Sequence, residues 1–408
     1  MKPILEEVLK GIKPSPKEER EFRKMVNAVL ASVRKAVPEA TVVLGGSGEK
    51  GTRLKGTQEA DIFVKFPFSY ANKDISSILG KKLKKKYAIK KLHGSRDYYQ
   101  IDANRFIFEI IPIITIRNAQ ESFNITDVSP LHSRWVKKHR QYVDEIRLTK
   151  QFMKSSRVYG AESYINGFSG YICEVLTIHY LGFAKLVKAM AKWSEPVTID
   201  TERHYKSKNI FFELNDAKRS GPLIVIDPVQ SNRNAAAAVS REKFNKAIEY
   251  SKEFLSNPSK KFFEIRSIEI NKVNKDGSLF VFTISPLSGK KDVIGCKLLK
   301  CFNYISQNLI AHNFSIIFSD WQWENKAEMY FEVKNDTLPE KEVIKGPPER
   351  KKDFSRDFRK KHNDVYEENG VLYAVEARKY TKPEDLLSSI VNDPYVNERV
   401  KSIKLEKR

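Results

Sequence analysis

Glu59 and Asp61 stand one residue apart at the start of an apolar run, ADIFVKF (60–66), and no other pair in the chain is so clearly placed to do chemistry. On a strand, residues i and i+2 point to one face, with Cα atoms about 6.6 Å apart at a rise of ~3.3 Å per residue. Both carboxylates then offer oxygen ligands on the same side. A third carboxylate, Glu109, sits alone in RFIFEIIPIITI (105–116), which reads as a strand buried on both faces. Such a charge is costly there unless it is paired or bound to metal. Three carboxylates of this kind suit a hard divalent cation such as Mg2+. Two such ions ~3.5–4 Å apart can activate an attacking hydroxyl and stabilise a leaving pyrophosphate.

The segment before this pair supplies a phosphate cradle. Val42, Val43 and Leu44 run into Gly45-Gly46-Ser47, where the missing side chains let backbone N–H groups approach phosphate oxygens and Ser47 adds a hydroxyl. The glycine spacing from Gly46 to Gly51 is that of a P-loop, but Thr52 and Arg53 stand where Lys and Ser/Thr belong, which excludes that motif. Gly-Ser, a spacer at 48–58 and Glu-x-Asp, each flanked by apolar runs, together resemble the signature of the nucleotidyltransferase superfamily.

Elements must hold these groups in place. Apolar residues recurring at three and four predict helices at 4–12 and 17–37, broken at Pro14 and Pro16. Strands are expected at 41–45 and 60–66. The run KKLKKKYAIKK has seven lysines in eleven positions and reads as a solvated helix face or a phosphate-contacting rim. Helices are expected at 136–156, at 168–192 with His179 as a core histidine, and at 241–255; LIVID (223–227) reads as a buried strand. Asn257-Pro258-Ser259 marks a boundary. Strands at 262–270, 279–286, 315–323 and 327–335, with a helix at 292–311, suggest a ferredoxin-like α+β module. The stretch 345–361 carries eight Lys or Arg and reads as a basic linker or an RNA-facing segment, with structure resuming at 371–380 and 385–391.

Composition limits the partners. The chain has 408 residues and a net charge of +22, too basic for an enzyme of small substrates alone, and this points to nucleic acid or an anionic membrane surface. No apolar stretch reaches the ~18 residues of a membrane span, and no signal peptide is expected. Three cysteines, Cys173, Cys296 and Cys301, do not make a disulfide framework or a zinc site. The expectation is a cytoplasmic protein with a nucleic-acid partner and no membrane.

Several segments together resemble the archaeal (class I) CCA-adding enzymes, the tRNA nucleotidyltransferases. GGSGEKGTRLKGTQEADIFVKF resembles the catalytic motif of that family. NITDVSPLHSRWVKKH (124–139), DEIRLTKQFMKSSRVYGAESYINGFSGYICEVLTIHY (144–180) and DPVQSNRNAAAAVS (227–240) resemble its next blocks, and KGPP (345–348) and 364–387 its C-terminal region. The resemblance implies template-independent addition of C, C and A to the 3′ end of tRNA from CTP and ATP. It implies an α+β multidomain chain: a nucleotidyltransferase (polymerase-beta-like) head at 1–143, a mostly helical neck at 144–258, a ferredoxin-like RNA-binding body at 259–344, and a basic linker and small α+β tail at 345–408. The tRNA acceptor arm and 3′ end are the implied partners, and a homodimer is one assembly left open. Glu59, Asp61 and Glu109 fall on the catalytic, metal-binding carboxylates. Gly46, Ser47 and Lys50 fall on the triphosphate loop, His132, Lys150 and Tyr159 on further nucleotide contacts, and Arg233 on the arginine facing the base. Two departures stand out. The third carboxylate is often Asp in the family, and KLHGSRDYYQID (91–102) matches it poorly, leaving the surroundings of His93 unassigned. A related enzyme adding only A or U, or an inactive RNA-binding module, are the competing readings.

Overall fold

The computed structural model describes residues 1–205, 214–265, 268, 277–324, 326–334 and 337–407. They fall into two units, Met1–Ile265 and Arg266–Arg408. In the first, helix α1 spans Lys2–Ile12 and α2 spans Pro16–Ala36. The start of α2 is fixed by a capping box, in which the Ser15 side chain accepts from Glu18 N–H and the Glu18 side chain accepts from Ser15 N–H, with Pro16 at the first helical position. A five-stranded sheet follows: β1 (Thr41–Leu44), β2 (Glu59–Phe66), β3 (Lys90–Leu92), β4 (Tyr98–Ala103) and β5 (Phe106–Ile114), in the order β1-β2-β5-β4-β3. Helix α3 (Gly46–Lys50) lies in the β1–β2 connection and α4 (Ile75–Leu83) between β2 and β3. The lysine-rich run is therefore only partly helical: it ends α4, turns, and enters β3.

The two faces of this sheet differ. Ala60, Ile62, Val64 and Phe66 of β2, with Phe106, Phe108 and Ile110 of β5, are buried in one core with Phe22, Val26 and Val33 of α2 and Leu79 and Leu83 of α4. The alternate residues Asp61, Ile107, Glu109 and Ile111 are only partly buried and Glu59 is exposed. The first half of β5, expected from its composition to be buried on both faces, is thus fully covered on one face only. Its second face carries Glu109, beside Asp61 and Glu59 of β2.

Helices α5 (Ser129–Lys138), α6 (Val143–Ser155), α7 (Gly170–His179) and α8 (Phe183–Met190) follow. The helix expected at 136–156 is divided by a 3-10 turn at Arg140–Tyr142. The one expected at 168–192 breaks where Leu181 and Gly182 both take positive φ. Short strands β6 (Val197–Ile199), β7 (Leu223–Asp227) and β8 (Gln230–Asn234) and helix α9 (Arg241–Ser256) complete the unit. Phe152, Phe183, Phe254 and Phe263 meet edge-on or tilted at its centre, with centroids 5.4–5.9 Å apart.

In the second unit, β9 (Ser278–Pro286), helix α10 (Lys291–Ala311), β10 (Ile316–Trp323), β11 (Ala327–Val333), helix α12 (Pro383–Val391) and β15 (Val400–Lys407) form a β-α-β-β-α-β module. Its antiparallel sheet has the order β10-β11-β9-β15, the ferredoxin-like arrangement. Inserted before α12 is a three-stranded sheet of β12 (Lys341–Pro348), β13 (Val365–Glu368) and β14 (Val371–Ala377), with helix α11 (Lys352–Lys361). The basic stretch at 345–361 is thus a strand end and a helix instead of a linker; Phe358 of α11 lies over Gly346 of β12. Of the strand expected at 262–270, Phe262 and Phe263 belong to a 3-10 turn, and positions 266, 267, 269 and 270 lie outside the described residues.

Candidate active site

Strands β2 and β5 run parallel, and their register sets Asp61 directly opposite Glu109. Glu59 is two residues before Asp61 on the same face. On the far side of β5, β4 sets Gln100 opposite Glu109, and the polar ends of Gln100 and Tyr98 favour the charged form of that carboxylate. Burial, then the charges of Asp61 and Glu59, push the Glu109 carboxyl up to about 7 despite those two groups. Burial likewise raises Asp61, with Lys50 pulling it down and Glu59 adding to the rise. These shifts describe carboxylates crowded together with too little positive charge among them. Among the described residues no three His, Cys, Asp or Glu side chains are gathered closely enough to grip an ion as they stand, as expected where like charges repel. An all-oxygen donor set on one strand face fits a hard divalent cation in its chemistry.

The glycine turn is fitted to this face. Gly45 N–H donates to Asp61 C=O at 2.7 Å. Gly46 has φ +55°, and a Cβ there would lie 1.6 Å from Asp61 Oδ2. Only glycine lets the chain pass so close to the carboxylate. From Gly46 the chain enters α3, which carries Ser47 and Lys50.

Helices α6 and α7 hold the far side of that loop. Lys50 Nζ donates to Glu174 Oε2 at 2.6 Å, while Lys150 Nζ and Thr52 Oγ1 each donate to Glu174 Oε1 at 2.7 Å. Lys150 also donates to Thr52 Oγ1 at 2.9 Å. The Glu174 side chain is wholly buried and that of Lys150 is 4% exposed. Burial works against the Glu174 charge, but Lys150 and Lys50 outweigh it and hold the carboxyl down to about 2. Burial lowers Lys150, against the pull of Glu174. Arg147 of α6 donates to the carbonyls of Arg53, at 3.0 Å, and Gly51. Tyr159, just past α6, is packed so that a Cβ on Gly170 would fall 2.8 Å from its hydroxyl and 3.8 Å from Lys150 Nζ.

A second cluster forms on Asp227, at the end of β7. His132 Nε2 lies 2.9 Å from Asp227 Oδ2, Arg233 donates to the same oxygen, and the Tyr171 hydroxyl and Val229 N–H donate to Oδ1 at 3.2 and 3.0 Å. His132 packs on the Tyr171 ring, centroids 4.1 Å apart. Burial opposes the Asp227 charge, but these donors prevail and hold it down to about 2. The Lys50 ammonium lies 6.0 Å from the Tyr171 centroid, between the two clusters.

The structure therefore gathers the expected residues in three groups: Glu59, Asp61 and Glu109 on the sheet; Lys50 and Lys150 on Glu174; His132 and Arg233 on Asp227. Gly46 joins the loop to the sheet, and Tyr159 borders Lys150. The two hubs, Glu174 and Asp227, and their companions Thr52 and Tyr171 were not expected. Glu174 had a signal, a lone carboxylate in the apolar stretch YICEVLTIHY, of the kind that singled out Glu109.

A mixed sheet with paired carboxylates beside a glycine turn, followed by a helical layer, defines a nucleotidyltransferase of polymerase-beta-like fold. Solved structures share it. The Cid1 poly(U) polymerase bound to MgATP superposes with a TM-score of 0.53 at 16% identity, covering 64% of this chain and 98% of that one. A cytoplasmic RNA terminal U-transferase gives 0.50 at 16% identity, covering 65% and 98%. Residues 144–264 match the family model of the tRNA nucleotidyltransferase second domain, and residues 285–400 that of the CCA-adding enzyme C-terminal domain. The CCA-adding enzyme of Nanoarchaeum equitans is 34% identical over 386 residues, 92% of each chain. That of Methanocaldococcus jannaschii is 30% identical over 414 residues, 95% of this chain and 90% of its own. The chain belongs to the CCA-adding enzymes, the tRNA nucleotidyltransferases.

Proposed function

We propose that this enzyme adds C, C and A in turn to the 3′ end of tRNA, drawing on CTP and ATP and releasing pyrophosphate, with no nucleic-acid template. The observation that carries the chemistry is the shared rung of Asp61 and Glu109, with Glu59 on the same face and Gly46 against Asp61. These three carboxylates would hold Mg2+, which when bound lowers the pKa of the attacking 3′-hydroxyl and offsets charge on the α-phosphate and leaving pyrophosphate.

The chain's own groups do the rest. Lys50 and Lys150 meet the triphosphate as point charges, and Ser47 and the backbone N–H groups of the glycine turn add directed donors. His132 and Arg233, oriented by Asp227, face the ribose and base. A planar guanidinium suits acceptors on cytosine and adenine, whereas uracil and guanine present N–H groups at corresponding edges and would leave donor against donor. Tyr159 closes the pocket beside Lys150. A head (1–143) and a neck (144–258) serving base recognition are proposed with these roles; because β15 returns to pair with β9, residues 341–377 are taken as an insert in the body expected at 259–344 instead of the start of a separate tail at 345–408, and body and insert are proposed to hold the acceptor arm.

The charge of +22 supports an RNA partner read through its phosphates, without sequence preference. The proposed compartment is the cytoplasm, consistent with three free cysteines; among the described residues no helix is long and apolar enough to cross a membrane. Incubation with Mg2+, labelled CTP and a tRNA ending before CCA tests the proposal: the wild-type chain incorporates label, and Asp61→Ala does not. Incorporation that survives Asp61→Ala contradicts the metal assignment.

A further inference from the structure

We infer that Glu174 is a positioning residue of the transfer site, holding the ammonium groups of Lys50 and Lys150 side by side where the triphosphate enters. The inference rests on the reading of those lysines as triphosphate contacts. Its own basis is the geometry of the cluster. Three elements meet on one carboxylate: the catalytic loop through Lys50 and Thr52, α6 through Lys150, and α7 through Glu174 itself. A buried ion pair needs one cation for one anion. Here two converge on a wholly buried carboxylate, and the cluster keeps a net positive charge.

The donors are also left partly free. An ammonium has three N–H groups. Among the described residues Lys50 spends one on Glu174, and Lys150 spends one each on Glu174 and Thr52. The remaining N–H groups can go to phosphate oxygens without breaking the bonds to Glu174. Thr52 both donates to Glu174 and accepts from Lys150, which locks the loop's hydroxyl into the same array. Without the carboxylate the two ammonium groups repel each other, and Lys50 is free to swing off α3.

The charged and titratable groups around Lys150 are few. Burial drives the proton off it, Glu174 of α7 keeps it on, and Lys50 of α3 adds to the loss. The Cys173 thiol, also on α7, is pushed up to about 12, mainly by burial, and is neutral. Burial lifts the Tyr159 phenol well above its ordinary value, so it too is neutral. Glu174 is thus the one anion facing Lys150 among the described residues, and removing it moves the loss of the Lys150 proton to lower pH.

The test is steady-state kinetics of full-length Glu174→Gln, with CTP, ATP and tRNA varied separately and each repeated across pH. Loss of a hydrogen bond to a charged group predicts a KM for CTP and ATP raised by roughly tenfold or more. The tRNA KM is expected to hold, kcat to fall less than the nucleotide KM rises, and the alkaline limb of kcat/KM to move to lower pH. In a background lacking both amines, Lys50→Met with Lys150→Met, the same substitution is expected to add less than about twofold, because both lysines it acts through are then gone. Glu174→Asp, which keeps the charge, should recover part of the nucleotide KM and the alkaline limb, and it decides the matter if Glu174→Gln fails to fold. An unchanged nucleotide KM, an equal loss on all three substrates with no pH shift, or a full additional loss in the background lacking both lysines overturns the inference. If instead Lys50→Met and Lys150→Met each leave the nucleotide KM unchanged, the triphosphate reading itself fails, whatever Glu174 does.

Discussion

Glu109 stands across the parallel β2–β5 ladder from Asp61, one rung shared by two carboxylates. That relationship sets the position of the third acid by strand register alone. A Glu in place of Asp changes its reach and leaves its rung unchanged. Removing the charge by Glu109→Gln should cost about 3–4 kcal/mol of transition-state stabilisation, roughly two to three orders of magnitude in kcat. Glu109→Asp should retain far more. Single-turnover incorporation of labelled CTP at saturating Mg2+ distinguishes the two.

Gly46 and Gly51 make a paired comparison. Both have positive φ, but a Cβ at Gly46 meets Asp61 Oδ2 at 1.6 Å, whereas at Gly51 nothing lies within 4 Å. Gly51→Ala should cost only about 1–2 kcal/mol of stability from its left-handed conformation, with activity kept at a temperature where the protein is folded. Gly46→Ala should displace the Asp61 carboxylate and abolish incorporation while thermal melting remains cooperative.

Asp227 orients both His132 and Arg233. Asp227→Asn should loosen the pair and leave buried donors poorly matched, a loss of about 1–3 kcal/mol. The expected signature is in selection: the preference for CTP and ATP over UTP and GTP should fall by roughly tenfold or more, measured as ratios of kcat/KM.

Glu174 and Asp227 also predict the acid limit of the fold. Both carboxyls are held down to about 2, from ordinary values of 4.5 and 3.8. A depressed carboxyl contributes stability that is present above the unfolded value and is lost as pH falls through the folded one. Stability followed by circular dichroism should therefore drop between about pH 4.5 and pH 2. Asp227→Asn should be less stable at neutral pH and show a shallower acid slope.

Much of this was readable in the sequence, for physical reasons that differ by residue. Glu59 and Asp61 were legible because strand periodicity alone puts i and i+2 on one face. Glu109 was legible because an apolar run makes a lone charge conspicuous, and Glu174 carried the same signal in a helix. What could not be seen was which cations Glu174 faces, since Lys50 is 124 residues away in the chain. Asp227 was hidden for a similar reason: its partner His132 lies 95 residues earlier. The break at Leu181-Gly182 was missed because the apolar pattern continues through it. Basic composition masked α11, whose Phe358 gives it a packed face over Gly346. The return of β15 to pair with β9 is a non-local event that no local pattern encodes.

The reaction is the ordered addition of C, C and A to tRNA. Its most direct measurement supplies the wild-type protein and Mg2+ with a tRNA ending before CCA, each labelled nucleotide triphosphate in turn, and then CTP and ATP together, with the products resolved at single-nucleotide length. The expected products are two additions with CTP, none with UTP or GTP, and one addition of A only on tRNA that has already received both C residues. Extension by UTP, or by ATP on tRNA that lacks the two C residues, contradicts ordered CCA addition.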